Sequence, residues 1–158
     1  MRLRPVARLF TVACSCSAFF ILALGSRTVS ARDDRLHMPI KVALERSEAK
    51  QKLDPEIRLY FGKARHPSSK QDMGDYRVDK KTRSVGRTDG EACQWAFLSA
   101  LIDLQARART LGANAVVGIE SFFGEQTLTS DTEFLCGAGS MMAGTGLSGK
   151  LVKLPGKK

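Results

Sequence analysis

The chain has 158 residues, of which 25 are Lys or Arg and 16 are Asp or Glu, and its formal charge is +9. This length supports one domain of moderate size rather than several. Apolar residues make up 43% of the chain, which is ordinary for a globular protein and excludes a wholly disordered one. Two histidines and four cysteines leave little material for a metal site with several ligands.

The first 31 residues have the three parts of a secretory signal. Residues 1–10 carry three arginines and no acid, residues 9–24 are apolar or small, and Val29-Ser30-Ala31 supplies small residues for cleavage. This pattern predicts a cleaved signal peptide, residues 1–31, with no transmembrane segment after cleavage. A retained transmembrane anchor is the alternative, but the apolar run is shorter than the ~20 residues that span a bilayer.

Cleavage changes both the charge and the cysteine count. The segment holds four of the arginines and no acid, so the remaining 127 residues carry a formal charge of +5. It also holds Cys14 and Cys16, which leaves Cys93 and Cys136. An even count in an exported chain predicts one disulfide, which would close a loop of about 40 residues and contribute about 4 kcal/mol. Two free buried thiols are the alternative.

An N-terminal lead-in of residues 32–55 is predicted to be extended at first and then helical. Residues 32–37 are polar. Pro39 can occupy the first position of a short helix, and Ser47 can cap a second one. Asp54-Pro55 disfavours further helix, so two short helical turns are predicted before it.

The domain proper, residues 56–154, begins with two strand candidates. Residues 57–61 predict a strand that stops at Gly62. Residues 63–74 are polar and predict a surface loop. Residues 76–85 hold few apolar side chains and many charges, which predicts an exposed edge strand.

The strongest helix signal covers residues 89–111. Thr88 or Asp89 can cap its start, and Gly112 stands where a helix commonly ends in a left-handed residue. Its apolar residues recur at steps of three and four and form one stripe. The stripe consists of Cys93, Phe97, Leu101, Leu104, Ala108 and Leu111.

Three further strands are predicted after the helix. Residues 115–119 are an apolar, β-branched run typical of a buried strand. Residues 133–142 and 145–154 predict a hairpin joined near Ala143-Gly144, followed by a basic tail at residues 155–158. Glycines recur along both hairpin strands, which indicates close packing by the helix or by a neighbouring sheet.

The predicted fold is α+β, with a mixed or antiparallel sheet of about four to five strands packed on one long helix. Cys93 lies on the apolar stripe near the helix start, and Cys136 lies on the strand at residues 133–142. The two sulfurs can meet if the helix crosses the sheet. Strand alternation also predicts that one of Met141 and Met142 points inward and the other outward.

Residues 144–150 match the first seven positions of a phosphate-binding loop. The eighth position should be Ser or Thr, but it is Leu151. Only eight residues follow Lys150, so the helix whose N-terminus would hold phosphate has no room. A glycine-rich strand is therefore favoured over a nucleotide site at Gly144, Gly149 and Lys150.

Basic residues are dense between positions 63 and 87, but acids interrupt them and Tyr76 is the one aromatic residue there. This composition does not support a nucleic-acid surface. A solvated surface is predicted, and a weak contact with anionic lipid head groups or glycan is the functional alternative. No catalytic group, cofactor site or metal site is predicted, because the histidines and methionines are scattered. They are His37, His66, Met73, Met141 and Met142.

Residues 106–119, ARARTLGANAVVGI, resemble the helix-to-strand signature of the YbjQ-like heavy-metal-binding family and of RcsF-like sensor lipoproteins. EACQW at residues 91–95 and FLCGAG at residues 134–139 resemble small uncharacterised periplasmic proteins of Gram-negative bacteria that often carry the label "excinuclease ATPase subunit". The resemblance implies an α+β domain with a sheet on a long helix, and disulfide stabilisation. It does not extend to a lipid-anchor motif or to a metal-ligand motif.

These observations together predict an exported periplasmic module that binds an unknown ligand or associates with the cell envelope and is not an enzyme. Its partner would be an envelope protein or an anionic envelope surface, and its oligomeric state stays open. A heavy-metal-binding protein is the first alternative. An excinuclease-type ATPase subunit, acting through residues 144–150, is the second and is disfavoured.

Overall fold

The computed structural model describes residues 33–156, so the predicted signal peptide and the last two lysines lie outside the described residues. Seven strands and three helices make up this part of the chain. They are β1 (Asp33–Pro39), α1 (Ile40–Glu45), α2 (Ser47–Lys52), β2 (Arg58–Phe61), β3 (Gln71–Arg83), α3 (Asp89–Thr110), β4 (Ala115–Phe123), β5 (Gln126–Leu128), β6 (Glu133–Gly139) and β7 (Met142–Lys153).

The strands form one curled, mixed sheet around β7. Strand β3 pairs antiparallel with β7 along its whole length, and β4 and β6 pair with β7 from the other side. Strand β1 extends the sheet beyond β6, while β2 runs parallel to β4 and β5 antiparallel to it. The predicted α+β class, with one long helix on a mixed sheet, is confirmed.

The sheet has more strands than the sequence predicts, because two of them lack an apolar pattern. Strand β1 lies in the predicted lead-in, where every residue from Asp33 to Pro39 pairs with β6. Only Leu36 and Met38 face the core from it. Strand β5 has three residues in the segment between the strands predicted at residues 115–119 and 133–142. Both are held by backbone pairing, which leaves little trace in the sequence.

Two boundaries in the sheet also differ from the predictions. Strand β3 begins at Gln71, inside the predicted loop, because a bulge at Gly74 (φ 94°) lets the pairing continue past a turn-like sequence. The hairpin turn lies at Ser140 and Met141 and not at Ala143-Gly144. As a result, Met141 and Met142 are both exposed, and the prediction that one of them points inward is wrong.

Helix α3 has a well-defined start and end. A capping box joins Thr88 and Glu91 at its start, since each side chain binds the other's backbone N–H. Gly112 (φ 77°) follows its end. Both helix ends fall within one residue of the predicted bounds.

One face of the sheet packs against α3 and forms the main core. Phe97 on α3 stacks on Phe134 with ring centroids 4.0 Å apart and faces Phe61 at 6.0 Å. Leu147 and Leu151 of β7 pack on the same helix and are fully buried. We call this the inner face of the sheet. Each such side chain contributes about 1.5–3 kcal/mol by leaving water.

The opposite face, here called the outer face, is only partly covered. A small apolar cluster lies near the C-terminal end of β7. It consists of Ala115, Val117, Val152 and Leu154, with Tyr60 packed against it. The rest of this face carries charged side chains of β3, the rings of Phe122 and Phe123, and Gly144 and Gly146 of β7.

Buried hydroxyl groups complete the sheet where β6 diverges from its neighbours. The backbone N–H of Leu135 donates to Ser121 Oγ at 2.8 Å, and the Leu135 carbonyl accepts from Thr145 Oγ1 at 2.6 Å. All three residues are buried. These side chains replace backbone partners that the curled strands no longer provide.

Candidate functional site

The predicted disulfide is present between Cys93 of α3 and Cys136 of β6. Their Cα atoms are 5.9 Å apart, and both residues are fully buried. The bridge joins the start of the long helix to the inner face of the sheet across 43 residues of sequence. Because solvent does not reach the sulfurs, this pair is suited to holding the fold rather than to thiol exchange.

The string that matches a phosphate loop forms an extended strand. From Gly144 to Lys150 each residue pairs with a residue of β3. A phosphate loop needs a turn whose amides point at one anion, and an extended ladder does not provide it. Lys150 Nζ lies 3.0 Å from Asp72 Oδ2 in an ion pair between the two strands.

The glycines of the last two strands make room for aromatic rings of β4. A Cβ atom on Gly146 would overlap the ring of Phe122, and one on Gly137 would overlap the ring of Phe123. Arg77 of β3 then covers Phe122, with its guanidinium carbon 3.4 Å from the ring centroid. Close packing at these glycines is therefore present, but the rings come from β4 and not from the helix.

An open cleft of about 550 Å³ lies on the outer face, and we call it the outer cleft. Strand β4 bulges between Val117 and Glu120, and Gly118 (φ 62°) leaves the space above it open. Bulges of this kind often stand next to functional sites because they redirect side chains. The polar residues that line the cleft are Lys63, His66, Asp75, Glu120, Ser148 and Lys150.

Charges of both signs converge on the outer cleft. Lys150 lines the cleft and makes an ion pair with Asp72, which offsets its positive charge. The pKa of Asp72 is lowered, first by the backbone N–H of Gly74 and then by Lys150. The pKa of Lys150 is raised by the same carboxylate. Glu120 accepts a hydrogen bond from the Thr129 hydroxyl. Such a lining suits a polar ligand that carries both donors and acceptors.

The histidines make local contacts. The Nδ1 atom of His66 lies 2.9 Å from the Pro67 carbonyl, and its ring packs on Tyr60. No hydrogen bond joins His66 to Ser148 or to a carboxylate among the described residues. His37 Nδ1 lies 3.6 Å from Glu133 across the β1–β6 pair. The described residues therefore contain no linked pair of nucleophile and base at either histidine.

No three His, Cys, Asp or Glu side chains within residues 33–156 lie close enough together to hold a metal ion. The methionines that could have served as metal ligands are far apart. Met73 packs on the inner core, whereas Met141 and Met142 lie at an exposed turn.

The basic stretch at residues 63–87 does not form one surface. Lys80 makes an ion pair with Asp103 of α3, and Arg77 covers an aromatic ring on the outer face. Lys81, Arg83 and Arg87 are exposed at the far end of β3. Lys63 lies at the outer cleft. The basic residues that are close in sequence are thus divided among several environments.

Gln105 has a structural role that the sequence does not indicate. It is buried in α3, where Oε1 accepts from the Asp54 N–H at 2.8 Å and Nε2 donates to the carbonyls of Asp54 and Ile57, both at 2.9 Å. Arg109 also binds the Asp54 carboxylate, and this hydrogen bond is the main cause of the lowered pKa of Asp54. The link between α2 and β2 is thereby fixed to the helix.

In the part of the chain that the structure describes, no helix has the length and apolar character needed to cross a bilayer. Comparisons with family models, with curated proteins and with solved structures find no match to this chain. The resemblances to YbjQ-like, RcsF-like and small periplasmic proteins stay predictions.

Proposed function

We propose that this chain is an exported, non-enzymatic binding module of the cell envelope, located in the periplasm. The observation that carries the proposal is the disulfide between Cys93 and Cys136 at the centre of the core. Disulfides of this structural kind persist in oxidising compartments and are rare in the reducing cytosol. The signal pattern at residues 1–31 supports the same location independently.

The outer cleft is the proposed binding surface. The cleft lies on the opposite face of the sheet from α3 and the disulfide. The disulfide-linked core can therefore hold the strands that line the cleft in place without filling the cleft. Its polar groups come from four separate segments, around Lys63, Asp75, Glu120 and Ser148. Binding is favoured over catalysis because His66 and Ser148 share no hydrogen bond, while the cleft combines opposite charges with an apolar floor at Val117.

Fractionation of cells tests the export half of the proposal. We expect the protein in the osmotic-shock fraction, with no thiol that reacts with maleimide until it is denatured and reduced. A matched variant, Ile21→Asp with Leu22→Asp, interrupts the apolar part of the signal and should remain in the cytoplasm with reactive thiols. Wild-type protein in the cytoplasm with free thiols would overturn the proposal.

Crosslinking in intact cells tests the binding half. A photoreactive residue in place of Lys63, at the cleft, should give a discrete adduct after irradiation. The same residue in place of Lys50, an exposed position on α2, is the control and should give none. Identical adduct patterns from both positions, or none from Lys63, would show that the cleft is not the binding surface.

A further inference from the structure

Exposed apolar side chains gather at one end of the sheet. Five large apolar residues of the described chain are exposed, and three of them lie together here: Val85 (68%), Met141 (72%) and Met142 (43%). The Ser84 N–H donates to the Met141 carbonyl at 2.9 Å, which joins the loop after β3 to the β6–β7 turn. We call these three residues the apolar tip.

Basic side chains surround the apolar tip. Arg83 pairs with Met142 across the β3–β7 ladder, and Lys81 lies two residues before it on the same face of β3. Arg87 donates from Nη1 to the Arg83 carbonyl at 3.2 Å, so it stays beside the tip. All three basic residues are exposed.

The two segments that form this end of the sheet carry no acid. Residues 80–88 and 139–144 contain none. On β3 the first acid behind the tip is Asp79, which pairs with Gly146, and on β1 Asp33 pairs with Gly139. Asp89 and Glu91 follow at the start of α3, where Glu91 interacts electrostatically with Arg87. The end of the molecule therefore combines exposed apolar groups with positive charge.

We propose that the apolar tip docks on the surface of an anionic lipid bilayer. Lys81, Arg83 and Arg87 would meet lipid phosphates, while Val85, Met141 and Met142 would enter the boundary between head groups and acyl chains. Apolar groups next to positive charge fit this partner because it offers both an anionic layer and an apolar phase. An anionic polysaccharide offers only the first.

This proposal deepens the proposed function by naming an envelope partner, and it rests on that function only for the location of the membrane. The tip and the outer cleft lie at opposite ends of the β3–β7 ladder, since Asp75 pairs with Lys150 at the cleft and Arg83 with Met142 at the tip. Eight residues of strand separate them, which is roughly 25 Å. A docked molecule would therefore hold its cleft away from the bilayer.

Vesicle sedimentation with the purified protein tests the three basic residues beside the apolar tip. We expect about tenfold or stronger binding to vesicles with about one third phosphatidylglycerol than to phosphatidylcholine alone, because each basic residue near such a surface adds up to about fivefold. The variant Lys81→Gln, Arg83→Gln, Arg87→Gln should lose this difference. The matched variant Lys50→Gln, Arg65→Gln, Lys70→Gln removes the same charge elsewhere and should retain most of it.

A second variant tests the apolar tip itself while the net charge of the protein stays constant. Val85→Ser with Met141→Ser should bind vesicles several-fold more weakly and lose the binding that persists in high salt. Unchanged melting temperatures would show that both tip variants fold. Equal losses from the two charge variants would overturn the proposal. So would equally tight binding to a soluble anionic polysaccharide with no dependence on Val85 and Met141. Either result leaves the fractionation test unaffected.

Discussion

A single buried amide, that of Gln105, fixes the chain between α2 and β2. Its three hydrogen bonds satisfy the N–H and carbonyl of Asp54 and the carbonyl of Ile57. Nothing in the helical periodicity marks this residue, because a glutamine beside the apolar stripe is ordinarily solvated. The partners are 48 and 51 residues away in sequence, so only the folded chain brings them together.

Gln105→Leu should lower the free energy of unfolding by roughly 2 kcal/mol or more, because three backbone groups lose their partner in a buried position. Urea denaturation followed by circular dichroism measures the change. Gln51→Leu is the control, since Gln51 is exposed on α2 and should change stability little. Equal effects of the two substitutions would contradict the role given to Gln105.

Strands β4 and β7 fit together because Phe122 fills the space above Gly146. Gly146→Ala should therefore destabilise the protein by about 1–3 kcal/mol, since its methyl group would overlap the ring. Adding Phe122→Ala should relieve the overlap, so the double variant should be more stable than the sum of the two single changes predicts. Thermal denaturation of the set measures this coupling.

Gly156→Ala is the matched control, because a Cβ atom there meets nothing within 4 Å. It should leave the melting temperature almost unchanged. Strict additivity of Gly146→Ala and Phe122→Ala would show that the ring and the glycine do not depend on each other.

Elements with a strong apolar pattern were predictable, and those held by backbone pairing were not. The stripe of α3 and the apolar run of β4 give the helix and the buried strand directly. Strand β1 and the first residues of β3 are polar edges whose partners are distant, so their sequence resembles loops. The predicted hairpin turn is wrong because it places Gly144 at the turn. In the structure Gly144 lies inside β7, where it faces Lys81.

The outer cleft could not be predicted from local patterns, because its lining joins four segments that are distant in sequence, around Lys63, Asp75, Glu120 and Ser148. The one motif match among these segments, the phosphate-loop string at residues 144–150, predicts a different kind of site. The one local signal is Gly118 within an apolar strand, which is typical of a bulge. By contrast, the cysteine pair was predictable, since removal of the first 31 residues leaves two cysteines and only one pairing.

At the scale of the whole molecule, the disulfide ties the helix to the sheet. Replacing both cysteines by serine should lower the free energy of unfolding by about 4 kcal/mol, because the unfolded chain regains the freedom of a 43-residue separation. Chemical denaturation measures the loss, and wild-type protein denatured with a reductant is the control. An unchanged midpoint in both would contradict a bridge that supports the fold.

The charge is distributed unevenly between the two ends of the sheet. The formal charge of +9 includes four arginines in the predicted signal, and the basic stretch of β3 is split between a helix contact, an aromatic ring and the tip. One end of the sheet thus carries positive charge with apolar groups, and the other carries a cleft of mixed charge. The two ends correspond to the two proposed contacts, a polar ligand at the outer cleft and a lipid bilayer at the apolar tip.

Intact mass spectrometry of the protein recovered from cells, without reduction, tests the central claim most directly. We expect the mass of residues 32–158 less two hydrogens, and a gain of two hydrogens after reduction, because export removes the signal and oxidises Cys93 and Cys136. A full-length chain with both thiols reduced would contradict export and the disulfide together.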